Sequence, residues 1–84
     1  MQENMSAKTH RILLLDRKQG NISGVLDVVS FDESIVILKT EQGDLQVKGK
    51  GLHVTRVDLG KGEVDLEGFV ETMDYSKKRM GWFS

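Results

Sequence analysis

The chain has 84 residues, of which 13 are acidic and 12 basic, for a formal net charge of −1; cysteine and proline are both absent. This length supports one small domain, and without cysteine it has neither a disulfide nor a thiolate for redox chemistry or structural zinc. The balanced charge argues against a nucleic-acid binder, which needs a basic face. The longest apolar runs hold about four residues where a membrane-spanning helix needs roughly twenty.

Residues 1–9 are polar and unpatterned and are expected to be mobile. They contain no apolar h-region, so no signal peptide is read there. Together with the lack of cysteine, this predicts a soluble protein of a reducing, cytoplasmic compartment. The segment 10–75 reads as one β domain and 76–84 as a basic-aromatic tail. Ile12-Leu13-Leu14-Leu15 is a short apolar strand, and Asp16 to Gly20 a turn. Asn21 to Phe31 carries the β formers Ile22, Val25, Val28 and Val29, with Gly24 marking a bulge or a close backbone approach.

After a turn at Phe31-Asp32-Glu33-Ser34, the run Ile35-Val36-Ile37-Leu38 suits a central strand covered on both faces. Glu41-Gln42-Gly43 is a hairpin connection, after which Leu45 and Val47 face opposite to Asp44, Gln46 and Lys48. The alternation resumes at Leu52 and Val54 and changes phase at Val57 and Leu59, so a bulge is predicted near Thr55-Arg56. Gly60-Lys61-Gly62 closes a second hairpin. In the last strand, Glu63 to about Met73, Val64, Leu66 and Val70 share one side; Glu63, Asp65, Glu67 and Glu71 line the other with Phe69.

The segment Gly43-Asp44-Leu45-Gln46-Val47-Lys48-Gly49 returns nineteen residues later as Gly62-Glu63-Val64-Asp65-Leu66-Glu67-Gly68, with a fainter echo at Gly20 to Gly24. Each copy opens with a glycine suited to positive φ at a turn and then alternates polar and apolar. About six strands with tight glycine turns predict an all-β fold, a small antiparallel sandwich or barrel. A helix has room only in the last ten residues.

Four constellations bear on function. The acidic row suits a divalent cation by ligand type, but alternation spaces its carboxylates about 7 Å apart, too far for one ion. A solvated face relieved by cross-strand Lys48, Lys50 or Arg56 is the preferred account. His10 and His53 would have to meet Ser23, Ser30 or Ser34 and a buried aspartate to make a triad, and no G-x-S-x-G elbow is present. The glycines lack the G-x-x-x-x-G-K-[ST] context of a phosphate loop and read as turns. No catalytic, cofactor-binding or metal residue is assigned, and the protein is expected not to be an enzyme. In the tail, Lys77, Lys78 and Arg79 precede Trp82 and Phe83, a composition that would hold an anionic membrane surface reversibly and weakly. Packing of the two rings on the domain or on a partner is preferred, and stacking on single-stranded nucleic acid ranks below both.

From about His10 to Tyr75 the chain resembles the YabP/YqfC family of sporulation proteins. The likeness is carried by Ile22-Ser23-Gly24-Val25, Ser30-Phe31-Asp32, Leu38-x-Thr40, Gly43-Asp44-Leu45-x-Val47-x-Gly49 and Leu52-His53-Val54. It continues through Asp58-Leu59-x-x-Gly62-Glu63-Val64-x-Leu66-Glu67-Gly68 to Tyr75. The resemblance implies an immunoglobulin-like β fold and a non-catalytic role in spore envelope (coat or cortex) assembly, in the cytoplasm or at the developing spore surface. It transfers no site residues.

Three function classes follow. The first is an assembly protein that binds itself or other sporulation and coat proteins through strand edges and apolar patches. The second is a peripheral membrane adaptor using the tail, and the third a small-ligand or metal-binding β module. The first is preferred, with Phe31, Phe69, Trp82 and Phe83 expected among the apolar contacts.

Overall fold

The computed structural model describes residues 9–76. Of the predicted mobile start, residues 1–8 lie outside these residues, as do the tail residues Lys77, Lys78, Arg79, Trp82 and Phe83 and, with them, all but the first two of the ten positions left open to a helix, Tyr75 and Ser76 being strand. The six strands are β1 (Arg11–Leu15), β2 (Gln19–Ser23), β3 (Val25–Phe31), β4 (Ile35–Thr40), β5 (Gly43–Asp58) and β6 (Glu63–Ser76). All pairings are antiparallel, in the order β1-β2-β6-β5-β4-β3. The all-β antiparallel fold is as the glycine-punctuated alternation predicts.

Sixteen residues of β5 would extend about 53 Å if straight, yet the longest dimension of the molecule is 35 Å. The long strands therefore bend, and they do so where their pairing register slips, between Lys48 and His53 of β5 opposite Glu67 to Thr72 of β6. An added Cβ on Gly49 would lie 1.9 Å from the Phe69 carbonyl oxygen, and one on Gly68 would lie 2.5 Å from that of Gly51. The two backbones cross too closely for any side chain.

The bend folds the sheet into two leaves. In one, β3 pairs with β4, β4 with the first half of β5, and that half with the second half of β6. In the other, β1 pairs with β2, β2 with the first half of β6, and that half with the second half of β5. Corresponding inward rows match: Val28–Leu38–Leu45–Tyr75 in one leaf, Ile12–Ile22–Val64–Val57 in the other. The hairpin turns dock alike, Gly49 N on Ser34 O at 3.1 Å and Gly68 N on Lys18 O at 3.1 Å. The repeat at Gly43 and Gly62 thus marks an internal pseudo-two-fold relation. The echo at Gly20 is not a third copy: Gly20 sits buried within β2, without positive φ, where the other leaf has Val36.

The chain passes from one leaf to the other at Gly24, where φ is 74°. A Cβ there would meet His10 Cα at 2.5 Å, the close approach the sequence predicts. Val25 N then donates to Gly62 O at 2.9 Å. Ile22, Val25, Val36, Leu38, Leu45, Val47, Leu52, Val64, Leu66 and Val70 form one core between the leaves.

Two expectations are corrected. Ile35 to Leu38 is not central, because β4 lies next to the edge strand and the middle of the sheet is β5 and β6. Ile35 and Ile37 are only half-buried, their face being the outer one. The bulge falls at Thr55 as predicted, but Val57 and Leu59 beyond it are exposed. There β5 pairs with β6 alone and runs along the open margin of its leaf.

Candidate functional site: an apolar strand edge beside a neutralised acidic face

The outer face of the β1-β2-β6-β5 leaf carries two cross-strand rows, Leu13–Asn21–Asp65–Arg56 and Leu15–Gln19–Glu67–His53. Of the predicted acidic row, Glu63, Asp65 and Glu67 lie here, engaged by their neighbours, whereas Glu71 lies past the bend in the other leaf. Arg56 Nε donates to Asp65 Oδ2 at 2.8 Å and Nη2 to Glu63 Oε1 at 2.8 Å. Asn21 Nδ2 donates to the other oxygen of Asp65. The hydrogen bond from Arg56, then that from Asn21, holds the Asp65 carboxyl below its ordinary range, and both carboxylates raise Arg56. His53 Nε2 is 3.6 Å from Glu67 Oε1, and Lys50 Nζ is 3.8 Å from Glu71 Oε2. Arg56 and Lys50 thus provide the cross-strand relief expected, and among the described residues no three or more carboxylates and histidines converge on one point.

The other histidine is tied down locally. The Ser23 carbonyl can only accept, so His10 Nδ1 donates to it at 2.9 Å, leaving Nε2 to accept from the Tyr75 hydroxyl. The Ser23 hydroxyl donates to Thr9 O at 2.6 Å. This cluster fastens the start of β1 to the end of β6.

What the surface offers is apolar. Leu13 and Leu15 are half exposed on β1, above a hollow of about 220 Å³ that Asn21, Thr55 and Asp65 help to line. Leu26, Val29 and Phe31 are exposed on β3, with Phe31 at 66%. Both groups sit on edge strands. Phe69, 43% exposed, stands at the bend of β6, where the Arg17 guanidinium lies 5.4 Å from its ring centre. Phe31 and Phe69 are therefore both available at the surface but belong to separate places.

Leu13 and Leu15 were missed as surface residues because an unbroken leucine run gives no alternation to read. The available signal was geometric: in a strand, every second member of Ile12-Leu13-Leu14-Leu15 must point away from the core.

Comparison with known proteins places the chain. The family model described as "YabP family" matches residues 6–82. The spore protein YabP of Bacillus subtilis (strain 168) is 36% identical over 72 residues, which cover 86% of this chain and 72% of that protein.

Proposed function

The chain belongs to the YabP family, and from that premise we propose that it is a non-enzymatic assembly protein of endospore formation, acting through protein–protein contacts in the spore envelope. One observation carries the reading: large apolar side chains crowd the two edge strands, Leu13 and Leu15 on β1 and Leu26, Val29 and Phe31 on β3. Edge strands offer unpaired backbone groups, and apolar residues on them favour addition of another chain. The charged side chains of the acidic face, by contrast, are spent on one another. The partners are other sporulation or coat proteins and further copies of this chain, met in the cytoplasm of the sporulating cell or at the developing spore surface.

The test is a fluorescent fusion followed through sporulation, with capture of its partners and their identification by mass spectrometry. Accumulation at the developing spore, lost in a Leu13→Lys, Phe31→Ser double variant that still folds, is expected. A diffuse signal, with spores of normal envelope when the gene is deleted, would remove the proposal.

The sequence of the tail favours a second reading, a peripheral membrane adaptor. Lys77, Lys78 and Arg79 would each contribute about 1 kcal/mol at an anionic surface, with Trp82 and Phe83 in the headgroup zone. Co-sedimentation with phosphatidylserine vesicles decides it: binding should vanish when residues 77–84 are removed.

A further inference from the structure

The two edge strands occupy corresponding places in the two leaves but are guarded differently. The pairing of β3 with β4 slips between Val25 and Asp27 and again between Val28 and Ser30. Such bulges twist an edge away from regular pairing. By contrast, β1 pairs with β2 without a slip from Arg11↔Ser23 to Leu15↔Gln19. It contains no proline and no charge pointing inward, and among the described residues it pairs with β2 alone. Its only charge is Arg11 at one end, and the turn beyond its other end opens with Asp16.

This edge is complementary to itself. The geometry points to antiparallel pairing of β1 with β1 of a second copy of this chain, across a two-fold axis at Leu13. This deepens the assembly reading above, on which it rests, by naming one partner and the strand that meets it. In this register Leu13 faces Leu13, Ile12 faces Leu14 of the second copy, and Arg11 faces Leu15 of the second copy. Every pair keeps its face: the half-buried Ile12 and Leu14 stay inward and the half-exposed Leu13 and Leu15 stay outward. A shift of one residue would mix the faces. At each end Asp16 of the second copy falls opposite His10, and the left-handed backbone at Asp16 and Arg17 stops the pairing there. The joined sheet would be twelve strands wide. A five-residue strand with two leucines per copy buries less than the roughly 1,200 Å² of a standard interface, so the dimer belongs to the weak class.

Sedimentation equilibrium on the full chain, up to about 1 mM, reads the dimer directly, since 1 mM lies at the weak end of specific association. A mass rising towards twice the monomer value is expected, and Leu13→Lys, which sets two ammonium groups opposite each other, should hold it at the monomer value. The chain has no cysteine, so Leu13→Cys introduces a single thiol. Antiparallel neighbours at about 4.5–5.5 Å between Cα atoms lie within disulfide reach. Oxidation should therefore cross-link Leu13→Cys several-fold faster than Val29→Cys on the bulged edge. A monomer throughout the range, equal cross-linking of the two variants, or a dimer that survives Leu13→Lys would overturn the proposal. So would loss of the wild-type dimer on removing residues 1–8 or 77–84 alone, which would assign the contact to a terminus. Because purified protein is used, any of these outcomes leaves the capture of envelope partners as a separate question.

Discussion

Arg17 shows how a locally unfavourable residue is held by distant ones. Asp16 and Arg17 both take left-handed φ, 55° and 58°, a region costing a non-glycine residue about 1 kcal/mol. Aspartate tolerates it, whereas arginine has no local reason to be there. Its Nε donates to Val70 O at 3.0 Å and its Nη2 to Glu71 O at 2.7 Å, while its backbone oxygen accepts from Val70 N at 2.8 Å. Arg17→Ala keeps the strain and loses the side-chain bonds, so urea denaturation should show a loss of about 1–2 kcal/mol. Arg17→Gly, free of strain, should lose about 0.5 kcal/mol less than Arg17→Ala. Phe69→Ser should leave the fold intact, and its coupling to Arg17→Ala in a double-mutant cycle should be about 0.5–1 kcal/mol. Strict additivity would mean the ring gives the guanidinium nothing. Asp65 adds a pH dependence of definite sign. Its folded pKa is depressed, chiefly by Arg56, so its contribution is present above the unfolded value of about 3.9 and fades as pH falls through the folded value. Asp65→Asn should therefore lower stability at neutral pH and flatten the acid limb of the stability curve below about pH 4. An unchanged acid limb would deny the ion pair that role.

Among the elements, the bend of β5 and β6 shows what pattern reading reaches and what it does not. Alternation put Leu45 with Val47, Leu52 with Val54, and Val64 with Leu66 and Val70 on one side of their strands, and all but the half-buried Val54 are buried. The slip at Thr55 was readable because apolar residues changed phase across it. The sharper crossing at Gly49 and Gly68 left no such trace, because a strand that turns a corner through glycine keeps its alternation on each side. The same blindness made Ile35 to Leu38 look central, since a run of β-branched residues reports burial without saying how many strands flank it. The crossing has a direct test. Gly49→Ala would drive a methyl against the Phe69 carbonyl, so a loss of about 4 kcal/mol or outright unfolding is expected. The control is Gly51→Ala, where no atom lies within 4 Å of the added carbon and only the positive φ of 62° is penalised; it should lose about 1 kcal/mol. Similar losses for the two would place the strain in backbone conformation and not in the crossing.

At the level of the whole molecule, the repeated segment explains how a small chain closes a core without a disulfide. Each leaf supplies an edge hairpin, whose turn docks on the bend of a long strand, and each long strand serves both leaves. The candidate site follows from this plan: two leaves give two hairpin edges, and only the bulges of β3 make them unequal. The repetition was legible in the sequence, whereas its meaning was not, because nothing in the residues states that β6 enters between β2 and β5. If the two segments are truly equivalent, one should replace the other. Five substitutions, Glu63→Asp, Val64→Leu, Asp65→Gln, Leu66→Val and Glu67→Lys, write the segment after Gly43 in place of the one after Gly62. The two core changes move one methylene each way across adjacent inward positions, which holds total volume and costs less than about 1.5 kcal/mol. Dismantling the Arg56 ion pairs, which are partly solvent-exposed, adds only a small further loss. A domain of this size has on the order of 4–12 kcal/mol of stability, so the chimera should still melt cooperatively with a β-type circular dichroism spectrum. A chimera that binds 8-anilinonaphthalene-1-sulfonate and loses its cooperative transition would confine the equivalence to the backbone, with each leaf packed for its own side chains alone.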